Sequence, residues 1–130
     1  GLCQVHCLTE HSESKDIIKA HKEESPQPVS AIYKEEENPK SFAVQCRHCE
    51  EAPCINACIT GAMHRDSDTG AVLRDEDKCV GCWSCLMVCP LGAVKRDEGG
   101  EKTAMKCDLC PDEENPVCVE NCPNEVLEFR

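Results

Sequence analysis

The sequence predicts an α+β fold of cysteine-bearing loops, short helices and short β-hairpins, with little hydrophobic core. Three observations predict it. Cysteine makes up 14 of the 130 residues, about 11%, above the roughly 8–10% at which it becomes a framework rather than an ordinary apolar residue. Large aromatic side chains are scarce, with one Trp, one Tyr and two Phe. Disulfides, zinc or iron–sulfur clusters must then supply the cohesion that a larger core would give. Finally, groups of four cysteines begin at Cys46, Cys79 and Cys107, an internal repeat of roughly 30 residues. This composition argues against an ordinary hydrophobic-core enzyme.

Taken in order, residues 8–27 read as helix. Thr9, Ser12 and Ser14 offer caps, and Ile17, Ile18, Ala20 and His21 fall near one face. Ser25-Pro26-Gln27-Pro28 ends that segment. Residues 29–33 and 41–45 read as short strands, and the charged stretch 34–40 as the turn between them. Two hairpins follow. In the first, 63–65 and 71–73 flank Asp68-Thr69-Gly70. In the second, 93–96 and 103–106 flank Glu98-Gly99-Gly100-Glu101. Residues 126–129 read as a closing strand. Each repeat is thus a cysteine loop, a helical turn and a short hairpin.

Cys79, Cys82, Cys85 and Cys89, followed by Pro90, form C-x2-C-x2-C-x3-C-P. This run is a bacterial [4Fe–4S] signature whose fourth cysteine ligates the other cluster of a pair. Three thiolates at steps of three on a tight loop wrap three corners of one cubane. A cysteine four residues on sits about a turn along a short helix and points to a neighbour. Zinc needs two C-x2-C pairs separated by a longer spacer, and a third cysteine inside the loop has no place there. Cys46, Cys49, Cys54 and Cys58 read C-x2-C-x4-C-x3-C, with Ile59 in place of the proline. Cys107, Cys110, Cys118 and Cys122 read C-x2-C-x7-C-x3-C, followed by Pro123. The longer third gaps enlarge the loop. Cys3 and Cys7, spaced C-x3-C, match the second half of the same motif. Fourteen cysteines are two short of four complete sets, so the expectation is a chain that starts inside its first motif. The alternative is that Cys3 and Cys7 are spare thiols.

The net formal charge of −11 disfavours nucleic acid and anionic membrane surfaces as partners. No apolar run approaches the ~20 residues of a membrane span, and Gly-Leu-Cys-Gln-Val-His-Cys is no signal peptide. A cytoplasmic location is expected, which argues against pairing fourteen cysteines as disulfides. No catalytic constellation or G-x-G-x-x-G phosphate loop stands out, so the expectation is a protein that is not itself an enzyme.

Several stretches together resemble one family: Val44-Gln45-Cys46-Arg47-His48-Cys49, Cys54 and Cys58 with Thr60-Gly61-Ala62, Lys78-Cys79-Val80-Gly81-Cys82-Trp83-Ser84-Cys85, Lys106-Cys107-Asp108-Leu109-Cys110 and Asn121-Cys122-Pro123. The chain resembles the four-cluster, bacterial-ferredoxin-like electron-transfer subunits of molybdenum or tungsten oxidoreductases, formate dehydrogenases, hydrogenases and carbon monoxide dehydrogenases. The resemblance implies two dicluster halves, an outer one from 1–45 plus 106–130 and an inner one from 46–105. It implies one cluster on Cys46, Cys49, Cys54 and Cys89, and a second on Cys79, Cys82, Cys85 and Cys58. It implies a third on Cys107, Cys110, Cys118 and Cys7, and a fourth on Cys3, Cys122 and two cysteines outside this sequence. Cys7-Leu8-Thr9-Glu10-His11-Ser12 and Ser14-Lys15-Asp16-Ile17-Ile18-Lys19 look most like the carbon monoxide dehydrogenase type. That likeness implies a flavin-dependent NAD(P) reductase or a hydrogenase as a downstream acceptor. A zinc- or disulfide-held interaction module is the reading from another class.

Around the cysteines, His48 lies between two candidate ligands and is placed to donate a hydrogen bond to a cluster. His6 and His64 read as ordinary neighbours of the loops, and His11 and His21 as residues of a solvated helix face. Trp83 reads as a solvent shield. Arg47, Lys78 and Lys106 each sit beside a candidate ligand, either raising a local potential or offsetting an anionic region. Glu35-Glu36-Glu37 and Asp112-Glu113-Glu114 read as solvated loops or as a face that steers a basic partner.

Overall fold

The computed structural model describes residues 1–96 and 104–129. Helix α1 spans Leu2–Glu10 and α2 spans Ile17–Lys22. Strands β1 (Tyr33–Glu37) and β2 (Lys40–Val44) follow, then α3 (Pro53–Asn56), β3 (Met63–Arg65) and β4 (Val72–Arg74). Helix α4 (Ser84–Val88), β5 (Lys95–Arg96), β6 (Ala104–Met105) and α5 (Val117–Glu120) complete the order. The strands pair as three separate antiparallel hairpins.

The region expected as a single helix over 8–27 is two helices joined by a loop. Helix α1 stops at His11, and Asp16 starts α2 as its cap, accepting from the backbone N–H groups of Ile18 and Lys19 at 2.9 and 3.0 Å. The Glu24 carboxylate closes the loop by accepting from the Ser14 N–H and hydroxyl. The first hairpin also sits later than expected. The charged stretch Lys34 to Glu37 is strand rather than turn, pairing in register from Tyr33↔Val44 to Glu37↔Lys40. Its loop is only Asn38-Pro39, joined by a cis peptide bond, which is a type VI turn. The expected 63–65 hairpin forms, with its second strand one residue on, at Val72–Arg74. The last hairpin pairs Lys95↔Met105 and Arg96↔Ala104, and its expected Glu98–Glu101 turn lies outside the described residues. The closing strand expected at 126–129 does not form: those residues are irregular.

The interior is small and alanine-rich. Ala20, Ala31, Ala52, Ala62, Ala71, Ala93 and Ala104 are buried, and among the described residues the large side chains fully enclosed are Ile32 and Val72. Two apolar clusters result. In one, Cys7, Ala31, Ile32 and Cys118 pack with Cys3, Ala43, Met105 and Leu127. In the other, Met63, Cys85, Val94 and Ala104 pack with Cys54, Ile55, Trp83 and Leu86. Both are built around cysteine sulfurs, as a chain short of large side chains requires. Burying a Val is worth roughly 2 kcal/mol, so a core with so few large side chains contributes little.

Candidate metal centres

The three C-x2-C loops share one backbone device. The residue before the second cysteine is left-handed each time: His48 at φ 47°, Gly81 at φ 67° and Leu109 at φ 70°. Trp83 repeats it in the next gap at φ 62°. A left-handed residue curls the chain so that consecutive N–H groups face one concave side. Only Gly81 announces this in the sequence. The strain at the others, of order 1–3 kcal/mol each, persists because the loop needs that shape.

The loops bring the cysteines together in sets. Cys46, Cys49, Cys54 and Cys89 line one small enclosed apolar cavity with Val72, Pro90 and Val94. Burial raises the Cys54 thiol above its ordinary pKa, and repulsion from Cys46 and Cys89 adds to this. Burial likewise raises Cys85, with added repulsion from Cys79, Cys58 and Cys82. Burial pushes Cys118 up to about 11, with repulsion from Cys7, Cys110 and Cys3. Burial pushes Cys107 up to about 12, with repulsion from Asp108 and Cys7. Cys3 packs beside Cys7 and Cys118 on α1. Cys122 lies just beyond α5, where the backbone N–H groups of Val126 and Leu127 hold its thiol below the usual range.

Thiols raised in pKa by burial, and further by their neighbours, suit a cation, because metal binding both deprotonates them and cancels their repulsion. The backbone around them is arranged for charged sulfur. Ala31 N–H donates to Cys7 Sγ at 3.3 Å, Met63 N–H to Cys58 Sγ at 3.4 Å and His48 N–H to Cys46 Sγ at 3.5 Å. The Ser84 hydroxyl lies 3.5 Å from Cys82 Sγ. All fourteen cysteines are free thiols, so every sulfur is open to a metal rather than tied to another sulfur. Cys82 is the exposed member of the fourteen.

His48 supplies a further test of fit. Val72 N–H donates to its Nδ1 at 3.0 Å, so Nδ1 is unprotonated and Nε2 carries the hydrogen. Burial, and then the Lys106 charge, lower its pKa to about 4, so the ring is neutral. Its Nε2–H is buried and meets no acceptor among the described residues. A buried donor between Cys46 and Cys49 that meets no oxygen fits a sulfur acceptor in the space those cysteines enclose.

Charged side chains hold the loops in place. Arg65 donates to the carbonyls of Cys49 and Glu50 at 2.6 and 2.7 Å and to that of Gly70 at 2.6 Å, tying the β3–β4 hairpin to the first loop. His11, expected on a solvated face, is instead half-buried at the end of α1. It donates from Nδ1 to the Cys7 carbonyl at 2.8 Å and from Nε2 to Asp108 at 3.1 Å. The hydrogen bond to Asp108 raises its pKa to about 11. Burial opposes ionisation of Asp108, yet the His11 bond and the Cys110 N–H hold it down to about 2. This ion pair joins the Cys7 helix to the Cys107–Cys110 loop, a role that the sequence could not signal across 97 positions. His21 is exposed on α2, as expected. Trp83 packs half-buried against the Met63–Cys85 cluster beneath Arg96, 5.0 Å from its ring centre. Lys78 pairs with Asp75 at 2.8 Å. Glu35 to Glu37 lie on exposed strand β1 rather than in a loop.

Comparison with known proteins agrees with this geometry. Residues 38–130 match the family described as 4Fe-4S dicluster domain. Electron transport protein YsaA of Escherichia coli is 36% identical over 128 residues, covering 97% of this chain and 78% of that protein. Electron transport protein HydN of Escherichia coli is 34% identical over 140 residues, covering 96% and 77%. The B subunit of the anaerobic dimethyl sulfoxide reductase of Escherichia coli is 45% identical over 93 residues, covering 68% of this chain and 44% of that protein. The chain spans 19% of the length of a further, much longer relative that is 36% identical to it.

Proposed function

Since the chain belongs to the 4Fe–4S dicluster family, a family of electron-transfer proteins whose cofactors are [4Fe–4S] clusters, we propose that it is the non-catalytic relay subunit of an oxidoreductase complex. It passes single electrons between a catalytic redox partner and a downstream acceptor. The partner we favour is a carbon monoxide dehydrogenase, on the likeness of residues 7–19 to that type, with a flavin-dependent NAD(P) reductase or a hydrogenase as acceptor. An electron-transfer subunit of a formate dehydrogenase, a hydrogenase or a tungsten aldehyde oxidoreductase is the second reading, supported by the similarity to a subunit of another anaerobic reductase.

The observation that carries the proposal is the convergence of the cysteines into crowded sets. Cys46, Cys49, Cys54 and Cys89 make one ligand set, Cys79, Cys82, Cys85 and Cys58 a second, and Cys107, Cys110, Cys118 and Cys7 a third. Cys3 and Cys122 are assigned to a fourth. The two sulfur-centred apolar clusters support an inner half over 46–105 and an outer half from 1–45 and 106–130. When bound, each cubane exchanges one electron at a potential set by its thiolates, hydrogen bonds and surroundings. The chain's own part is to hold those sets apart at fixed spacing, exclude water with Trp83 and alanine-lined walls, and aim N–H groups at the sulfurs.

Anaerobic purification with iron counted per chain, and with partners identified in the same preparation, tests this. The expected result is about twelve irons for three cubanes, or about sixteen with a fourth, together with a co-purifying redox enzyme. Zinc without iron would overturn the reading. A protein that carries full iron but purifies alone, and exchanges electrons with no complex, would overturn the subunit assignment.

A further inference from the structure

Lys106 is a buried lysine, 6% exposed. Its ammonium donates to the carbonyl of Val72 and to that of Cys107, the latter at 2.6 Å. Among the described residues it meets no carboxylate. An ammonium removed from water costs several kcal/mol unless an opposite charge compensates it, and two neutral carbonyls compensate only in part.

Those two carbonyls place the ammonium between two cysteine sites. Val72 forms a wall of the cavity enclosed by Cys46, Cys49, Cys54 and Cys89, and Cys107 belongs to the other set. The ammonium is therefore clamped between the backbone of one cysteine site and that of the next. Lys78, the comparable lysine before Cys79, is exposed and already paired with Asp75.

On the iron–sulfur reading above, we propose that Lys106 is a shared counter-ion for the two clusters held by the Cys46/Cys49/Cys54 and Cys107/Cys110/Cys118 sets, raising the potential of both. A cubane with four thiolates is anionic and becomes more so on reduction. A fixed cation stabilises the reduced form more than the oxidised one, and so shifts the potential upward. One lysine thereby keeps two adjacent stations of the relay in step. The plainer account, that Lys106 only ties two loops together by hydrogen bonds, predicts no effect of its charge.

The test is a potentiometric titration, followed by EPR, of anaerobically purified, iron-loaded full chain. Signals are assigned through Cys54→Ser, Cys82→Ser and Cys110→Ser variants. Lys106→Met is expected to shift the potentials of the two flanking clusters downward and leave that of the Cys79/Cys82/Cys85 cluster unmoved, with Lys106→Arg recovering most of the shift. Lys106→Gln keeps donors for both carbonyls without the charge, and carries the test if the Met variant does not retain iron. The inference is overturned if the iron-replete Gln variant keeps the parental potentials, or if all clusters shift alike. Absence of iron from the parent protein would instead overturn the iron–sulfur reading itself.

Discussion

At the scale of single residues, the left-handed positions explain both what the sequence discloses and what it hides. Gly81 is the natural occupant of such a backbone, and it sits in the one motif whose spacing is unambiguous. Gly81→Val is expected to destabilise the iron-loaded protein by about 1–2 kcal/mol, read as an earlier loss of iron–sulfur absorbance in guanidinium. Unchanged resistance would mean that the loop does not require the left-handed residue. His48 and Leu109 hold the same conformation without the side chain that signals it, so pattern reading passes over them. His48 is the natural test of a hydrogen bond to bound sulfur, because its Nε2–H meets no acceptor among the described residues. His48→Leu should retain full iron while lowering the potential of the Cys46/Cys49/Cys54 cluster alone. EPR titration checks this, and an unmoved potential would assign the donor elsewhere.

Among the elements, the hairpins are more legible than the helices. The 63–65 hairpin is readable because Asp68-Thr69-Gly70 is turn chemistry between apolar residues. The first hairpin is misplaced by pattern because Asn38-Pro39, with its cis peptide bond, makes a tight turn from residues that read as a breaker, and because three glutamates look like loop. The 8–27 segment reads as one helix since apolar periodicity survives the break at His11. What holds the end of α1 is a tertiary partner, Asp108, far away in sequence. His11→Ala leaves Asp108 half-buried without its cation and is expected to cost about 2–3 kcal/mol, with iron lost first from the Cys7/Cys107/Cys110/Cys118 set. Iron analysis and the EPR signature of that set report the outcome, and uniform loss from every set would count against this coupling. Arg65 does comparable work for the first loop. Arg65→Ala should release iron from the Cys46/Cys49/Cys54 set without disturbing the other two, which a chelator time course would resolve.

At the scale of the whole molecule, the interior is too small to be expected to hold the fold alone. Its interior is alanine and sulfur, with Ile32 and Val72 as the large enclosed side chains among the described residues, so stripping the iron is expected to unfold most of the chain. Far-ultraviolet circular dichroism before and after chelation reads this, and a retained native spectrum would show that the protein scaffold suffices alone. The overall character is legible from composition, since scarcity of aromatics and abundance of cysteine admit few other solutions. The bond from Lys106 to the Val72 carbonyl is not, because it spans 34 positions.

The exposed sulfur of Cys82 has a consequence for how the protein ages. It lies two residues from Val80, which is 55% exposed, and interacts with Cys58, which precedes the 75% exposed Ile59. Dioxygen and peroxide reach that corner without crossing any packed layer, whereas Cys7, Cys110 and Cys118 lie beneath the surface. Corrosion in air should therefore begin at one address and spread inward, so that a preparation handled carelessly loses its outermost station while the interior ones still look intact.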